Sequence, residues 1–470
     1  MNSVKPRNSY ISLFSSGGIG DLGYRDEGFF CVASAELLSR RIEVQRLNKI
    51  AEPSRLVCGD LLLPGPFKAV LDLAKEYVKE TQQPITTVVA TPPCQGMSVA
   101  NHKKNDELAR NSLVVRSIEL IQKIRPLTFV FENVPAFMKT LCTGSDGENR
   151  PIGDEIEREL GSDYEFYSQV VQLSEFGSPS SRKRSLTIGV RNDVTWVTPL
   201  DLFPERKLAP TLRELISDLP ALTEMGKCAD SDILHTFRPY EERMRLWLQD
   251  LPEGQSAFDN DDPLKRPHRI VRGKIVQNVR KNGDKYRRVF WDNVAPCVHT
   301  RNDILASQNT VHPRDDRVFS IRELMRMMGV PDNFVWFEGQ KKACENRDVE
   351  AIRPHAVNIR QCLGEAVPVP VMRSIAEKTK KHLCSHLRFS AKKPKRSKTT
   401  DWTTPAQLRA YIEVTSERRK AFSAYYTEPL IAFAVIKRAL SRFSNNTRKP
   451  IKILEPAAGS GALKTSYPRR

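Results

Sequence analysis

The chain of 470 residues is 40% hydrophobic, enough to bury two or three packed domains and to exclude a disordered protein. Its formal net charge of +18 and pI near 9.5 favour a polyanionic partner, although a merely basic surface fits the same numbers. Nine cysteines at irregular spacings speak against a disulfide scaffold or a structural zinc site, and no apolar run or signal-type leader is long enough to suggest a membrane anchor or export.

In chain order, the first 190 residues or so alternate short β-branched runs with longer mixed stretches, the pattern of a parallel sheet with crossover helices. Strands are predicted at 10–14, 30–35, 85–90, 128–132, 168–173 and 185–190, and a helix over 111–124. Ligands of such sheets collect beyond the carboxyl ends of the strands, so chemistry is expected in the residues just after each run. From about 193 to 292, prolines, basic clusters and scattered aromatics replace the alternation, as in an inserted basic domain. Order returns with a short helix over 321–328, capped by Ser320 and ended by Gly329 and Pro331, and with a further helix over 369–386. A basic linker, with Lys392, Lys393, Lys395, Arg396 and Lys398 among small polar residues, leads to a helical stretch and a last strand at 451–454.

The first strand runs into a loop in which Gly18, Gly20 and Gly23 fit GxGxxG, a spacing that lets a nucleotide-like ligand approach the backbone. Glu36 ends the next strand, where a carboxylate can accept hydrogen bonds from ribose hydroxyls, and Asp60 after Gly59 is a candidate adenine contact. This cluster suits a nicotinamide dinucleotide and S-adenosylmethionine equally. The discriminating segment is Thr91-Pro-Pro-Cys94-Gln, in which two prolines stiffen the turn and present one thiol at the ligand edge. A free thiol ionises near pH 8.5 and needs help to act as a nucleophile. That help is expected from Glu132, placed to protonate or hydrogen-bond a ring nitrogen, and from Asn133, orienting through its amide. Arg182 and Arg184 alternate in an extended stretch, project to one side, and can hold a phosphate or base oxygen together.

Taken in order, these segments resemble the motifs of the DNA (cytosine-5) methyltransferase family over roughly residues 9–378. The resemblance continues through Ala295-Pro-Cys-Val-His-Thr-Arg301, His312-Pro313 and the 320–331 helix, similar to the family's ninth motif, and through Arg360-Gln-Cys-Leu-Gly-Glu365-Ala-Val-Pro368, similar to its tenth. It implies an α/β, Rossmann-like S-adenosylmethionine-dependent methyltransferase sheet with an inserted small target-recognition domain. The domains expected are 1–192 with 355–386 returning to it, 193–354 for recognition, a linker at 387–404 and a final segment at 405–470. S-adenosyl-L-methionine is implied as cofactor, held by Phe14, Gly18, Gly20, Glu36, Asp60, Pro93, Glu365 and Val367, with no metal. Cys94 would attack carbon 6 of a flipped-out cytosine, Glu132 would meet ring nitrogen 3, and Arg182 would hold the base oxygen and adjacent phosphate. The partner implied is double-stranded DNA, with groove contacts from Arg269, Arg272, Lys274, Arg280, Lys281, Lys285, Arg287 and Arg288. A monomer in the bacterial cytoplasm, at the nucleoid and away from membranes, is expected as the modification part of a restriction-modification system, tied by function to a cognate endonuclease. The family pattern is altered at Ser16, where a glycine is usual, at Ser180, usually Gln, and at Glu365, usually Asn.

Beyond the linker, Ala424-Tyr-Tyr-Thr-Glu-Pro429 followed by Glu455-Pro-Ala-Ala-Gly-Ser-Gly461 resembles the opening of an adenine-type amino-methyltransferase. The expectation is an inactive, truncated segment. Three other readings remain: a related enzyme acting on transfer RNA, a nicotinamide dehydrogenase that leaves Cys94 and Glu132 unexplained, and a catalytically dead DNA-binding module.

Overall fold

The computed structural model describes residues 8–93, 107–279 and 283–384, so the basic linker and the final segment lie outside the described residues. Seven strands form one sheet: β1 (Ser9–Leu13), β2 (Phe30–Glu36), β3 (Leu56–Cys58), β4 (Thr87–Ala90), β5 (Thr128–Asn133), β6 (Tyr164–Gln172) and β7 (Lys183–Arg191). Their spatial order is β3-β2-β1-β4-β5-β7-β6. The first five are parallel, and β7 runs antiparallel between β5 and β6. Strand order reverses at β1, whose two neighbours are β2 and β4, and a crevice for a ligand opens where connections diverge in this way.

Because side chains alternate along a strand, each face of the sheet receives its own core. Val88, Ala90, Phe129 and Phe131 point to a face covered by α3 (Pro64–Thr81), α4 (Glu107–Ile124) and α5 (Ile152–Leu160). Val89, Val130, Leu186 and Ile188 point to the other face, covered by α1 (Asp21–Asp26) and by a late helix, α8 (Val369–Thr379). Gly23 permits that crossing, since a Cβ there would stand 2.4 Å from the Arg373 backbone nitrogen. Val194, Val197 and Leu202 also join this second core, so sheet packing runs beyond residue 192. The sequence reading drew neither β3 nor α3. Three residues are too few to show periodicity, but Phe67, Val70, Ala74 and Tyr77 do carry the helical spacing and are buried.

Between β7 and α8 lies an irregular lobe, joined to the sheet by α2 (Ser39–Leu47) and by α7 (Ala356–Glu365). Its ordered anchor is α6 (Ile321–Met327), where Ser320 and Glu323 form the expected capping box. Arg317 and Glu323, each 1% exposed, pair through two contacts of 2.8 Å, and Asp315 adds a third carboxylate oxygen at 2.8 Å. Arg288, expected in a DNA groove, is instead buried and donates to the carbonyls of Leu248 and His312 at 2.7 and 2.9 Å. It is a structural cross-link, because a guanidinium buried on carbonyls inside the lobe presents nothing to a phosphate. Among the described residues no helix is long and apolar enough to cross a membrane.

Candidate active site

A cavity of about 1670 Å³ opens at the carboxyl ends of β1 to β5. It is lined by Phe14, Gly20, Glu36, Asp60 and Pro93 along β1 to β4, by Glu132, Asn133, Arg182 and Arg184 at the β5–β7 end, and by Glu365 and Val367 at the end of α7. Cys94 lies outside the described residues, immediately beyond the Pro92–Pro93 turn that does line the cavity.

Phe14 and Ser16 both take positive φ, 61° and 49°, so the loop after β1 coils sharply without the usual glycine at position 16. Three bonds hold it there: the Ser16 N–H donates to Glu36 Oε2 at 2.9 Å, and Gln45 Nε2 donates to Ser16 O at 2.7 Å and to Ser15 Oγ at 2.8 Å. Gly18 does a different task from the one expected of it. Its φ is +78°, and a Cβ would meet Ile50 at 2.7 Å, so it turns the loop against α2 and does not line the cavity.

Glu36 also accepts from the Leu38 N–H at 3.1 Å and faces Arg41 at 3.7 Å, while Arg41 reaches Glu365 at 2.8 Å. Arg41 therefore bridges a carboxylate on the sheet edge and one on the end of α7, which accounts for Glu365 where the family has Asn. Burial still raises the Glu365 carboxyl above its ordinary value, the Arg41 charge opposing it.

The other end of the cavity depends on sheet register. Glu132 on β5 stands opposite Leu186 on β7, so Arg184, two residues earlier on the same face, is its diagonal neighbour. The Arg184 Nε lies 3.1 Å from Glu132 Oε1, and both side chains are largely buried. Asn133 points elsewhere: its Nδ2 donates to the Pro92 carbonyl at 2.8 Å and its Oδ1 accepts from the Val134 N–H at 2.8 Å. Its amide thus fixes the turn that leads to Cys94, and does not orient Glu132. The two arginines take different partners as well. Arg182 donates to the carbonyls of Val298 at 3.1 Å and Gly364 at 2.7 Å, fastening the lobe and α7 to the end of β7.

Arg41 and Asp21 are pocket residues that the motif reading passed over. Asp21 follows Gly20 directly, and a carboxylate adjoining a glycine loop was the available signal. Its carboxyl is raised to about 6 by burial. Among the described residues no group of His, Cys, Asp and Glu is arranged to hold a metal ion.

The model of C-5 cytosine-specific DNA methylases matches residues 9–381. The chain belongs to this family. The methylase is 31% identical over 380 residues to the Type II methyltransferase M1.HgaI of Avibacterium volantium, a match covering 78% of this chain and 96% of that protein. It is 25% identical over 364 residues to M1.HphI of Haemophilus parahaemolyticus, covering 76% and 86%. Among solved structures, a protein described as a DNA modification methyltransferase encoded within an E. coli prophage aligns with TM-score 0.55 at 19% identity, covering 80% of this chain and 99% of that one. That likeness concerns the fold alone. The methylase is a transferase acting on cytosine carbon 5 in DNA, which removes the dehydrogenase reading.

Proposed function

We propose that this methylase uses S-adenosylmethionine to methylate a flipped-out cytosine within a specific duplex sequence, as the modification enzyme of a restriction-modification system. The observation that carries the reading is the convergence, on one cavity, of a glycine loop with Glu36 and Asp60, the Pro92–Pro93 turn before Cys94, and the Glu132–Arg184 pair. The lining suits the cofactor: acidic acceptors at Glu36 and Asp60 for hydroxyl and amino donors, and apolar Phe14 and Val367 for the ring system. When bound, the cofactor supplies an electrophilic methyl group. The system-level assignment rests on the Type II methyltransferases that the chain resembles.

Carbon 5 of cytosine is too weak a nucleophile to take a methyl group until electron density is pushed into the ring. The Cys94 thiolate does this by bonding to carbon 6. Glu132, held by Arg184, meets ring nitrogen 3 and stabilises the charge that the addition places there. After carbon 5 is methylated, loss of its proton re-forms the double bond and expels the Cys94 thiolate. Arg182 contributes by holding the lobe against the sheet.

Sequence reading falls to the lobe, and within it to a hairpin, His268–Val271 paired with Lys274–Gln277. Both turn residues, Arg272 and Gly273, have positive φ, as a two-residue hairpin turn requires. Arg269, Arg272 and Lys274 are exposed together with Ile270, Val271, Ile275 and Val276. A two-stranded ribbon fits the major groove, where basic tips meet phosphate or guanine and branched apolar groups meet thymine methyls. Arg280 and Lys281 lie outside the described residues.

Bisulfite sequencing of DNA from a host expressing the protein tests the whole reading, with the purified enzyme assayed on DNA and RNA side by side. Methylcytosine confined to one DNA sequence is expected. Methylation of RNA alone, or of neither, overturns it.

A further inference from the structure

Asp21 is 5% exposed, yet it is one of the residues that line the cavity, directly after Gly20 of the glycine loop. The Ser12 and Tyr10 hydroxyls of β1 favour its ionised form, and Tyr24 of α1 and Cys31 of β2 face it. Burial raises both the Tyr24 hydroxyl and the Cys31 thiol, so these neighbours are neutral. Val89 of β4 and Met372 of α8, which complete this part of the wall, are apolar. Among the described residues no cation is one of the groups acting on Asp21. A carboxylate in such a place is costly unless a positive charge comes to it, and the opening of the cavity is the route by which one can.

The order of the lining residues says which charge. Asp60 and Glu36 occupy the ends of β3 and β2, the side suited to adenine and ribose. Pro93 and Glu132 occupy the ends of β4 and β5, the side where the target base must meet the methyl group. Asp21 sits at β1 and α1, between these ends in the strand order, on the side left for the amino-acid portion of the cofactor. We propose that Asp21 is a cofactor-binding residue whose carboxylate receives the α-ammonium group of S-adenosylmethionine. The proposal rests on the cofactor assigned above.

Binding then requires Asp21 to be ionised. Without ligand its carboxyl titrates near 6, and a cation placed against it lowers that value. Affinity is therefore greatest near neutral pH, where Asp21 is ionised and the α-ammonium still protonated, and falls by up to tenfold for each pH unit below the Asp21 value. The amide of an Asp21→Asn variant keeps the shape and cannot supply the charge.

The test is calorimetric titration of the full chain, wild type and Asp21→Asn, between about pH 5 and pH 8, with three probes. S-adenosylmethionine and S-adenosylhomocysteine both carry the ammonium group, whereas 5′-methylthioadenosine lacks the amino-acid portion. For the wild type, affinity for the first two probes should weaken towards about pH 5 by up to roughly tenfold, while affinity for the third stays level. Asp21→Asn should lose at least roughly tenfold for the first two, lose the pH dependence, and bind the third unchanged. Its melting temperature without ligand at neutral pH should be equal or higher, because an unpaired buried charge has been removed. Unchanged affinity of the variant for S-adenosylmethionine overturns the proposal, and so does a parallel loss for 5′-methylthioadenosine. If the variant fails to fold, the comparison of probes on the wild type decides alone, a level pH profile for S-adenosylmethionine counting against the proposal. A wild-type protein that binds no S-adenosylmethionine would instead refute the cofactor assignment.

Discussion

At the sheet edge, the polar groups of the cavity stand at strand ends and face a ligand space; in the lobe between β7 and α8, the strongest polar groups face one another inside the protein. Glu132 and Arg184 meet because β5 and β7 are paired in a fixed register, so their geometry is a by-product of sheet hydrogen bonding. Arg317, Glu323, Asp315 and His312 meet in a region with little regular structure, where the ion pairs themselves supply the connections. The sheet can therefore lose a cavity side chain and keep its shape, whereas the lobe cannot lose a buried charge and keep its own. A catalytic edge and a recognition lobe built on such different supports should respond to substitution in different observables.

The largest effect expected is on chemistry with no effect on folding. Cys94→Ser should abolish methyl transfer and the covalent trapping of DNA carrying 5-fluorocytosine, with cofactor affinity and melting temperature unchanged. Residual transfer by the serine variant would remove Cys94 from the mechanism. Glu132→Gln keeps the shape of the side chain and should lower kcat by about 10²–10⁴-fold, measured in single-turnover assays. A change in KM alone would make Glu132 a binding group.

In the lobe, the expected change is in stability. Glu323→Gln leaves Arg317 without its main counter-charge and should cost about 3–5 kcal/mol, seen as a lower urea midpoint. Acid should reach the lobe first. Burial pushes His312 down to about 3, so between that value and about 6.5 the unfolded chain binds a proton that the folded chain excludes. Stability therefore falls as pH drops through this window, and His312→Gln should flatten that slope in melting curves taken at stepped pH. The Arg317 charge holds the Glu323 carboxyl well below its usual range, so the stability this pair contributes persists to lower pH and fades only as Glu323 itself takes a proton. The smallest effect is on the exposed hairpin. Arg272→Ala should weaken DNA binding and, if it meets a phosphate, reduce the slope of log affinity against log salt by about 1, with cofactor affinity unchanged. An unaltered salt slope together with an unaltered methylation pattern would move recognition off this hairpin.

The same contrast explains what could be read in advance. Strand ends are legible, since alternation locates β1, β2, β4, β5 and β7, and the residue after each parallel run, or before the antiparallel β7, is then at the ligand edge. Hence eleven of the thirteen residues expected at the site line the cavity. Of the other two, Cys94 lies outside the described residues, and Gly18 packs against Ile50 because the loop coils one step earlier, at Ser16. Partners inside the protein were not legible. Arg182 and Arg184 share a spacing, yet one fastens three segments while the other pairs with Glu132, and Arg288 looks like any basic residue of its cluster until its carbonyl partners are seen.

By itself the sequence determined where a thiol, an acid and a glycine loop each follow a strand, because strands announce themselves by period, and the resemblance of these motifs in their order to the cytosine-5 methyltransferases gave the reaction class. Tertiary structure alone decided which of the charged residues remain available to a ligand. That depends on contacts between segments far apart in the chain: Asn133 with Pro92, Arg41 with Glu365, Arg182 with Gly364, and Asp21 left in the wall of the cavity without a cation among the described residues. Charge in a sequence is a composition, and only folding turns it into a partner, a cross-link or a site.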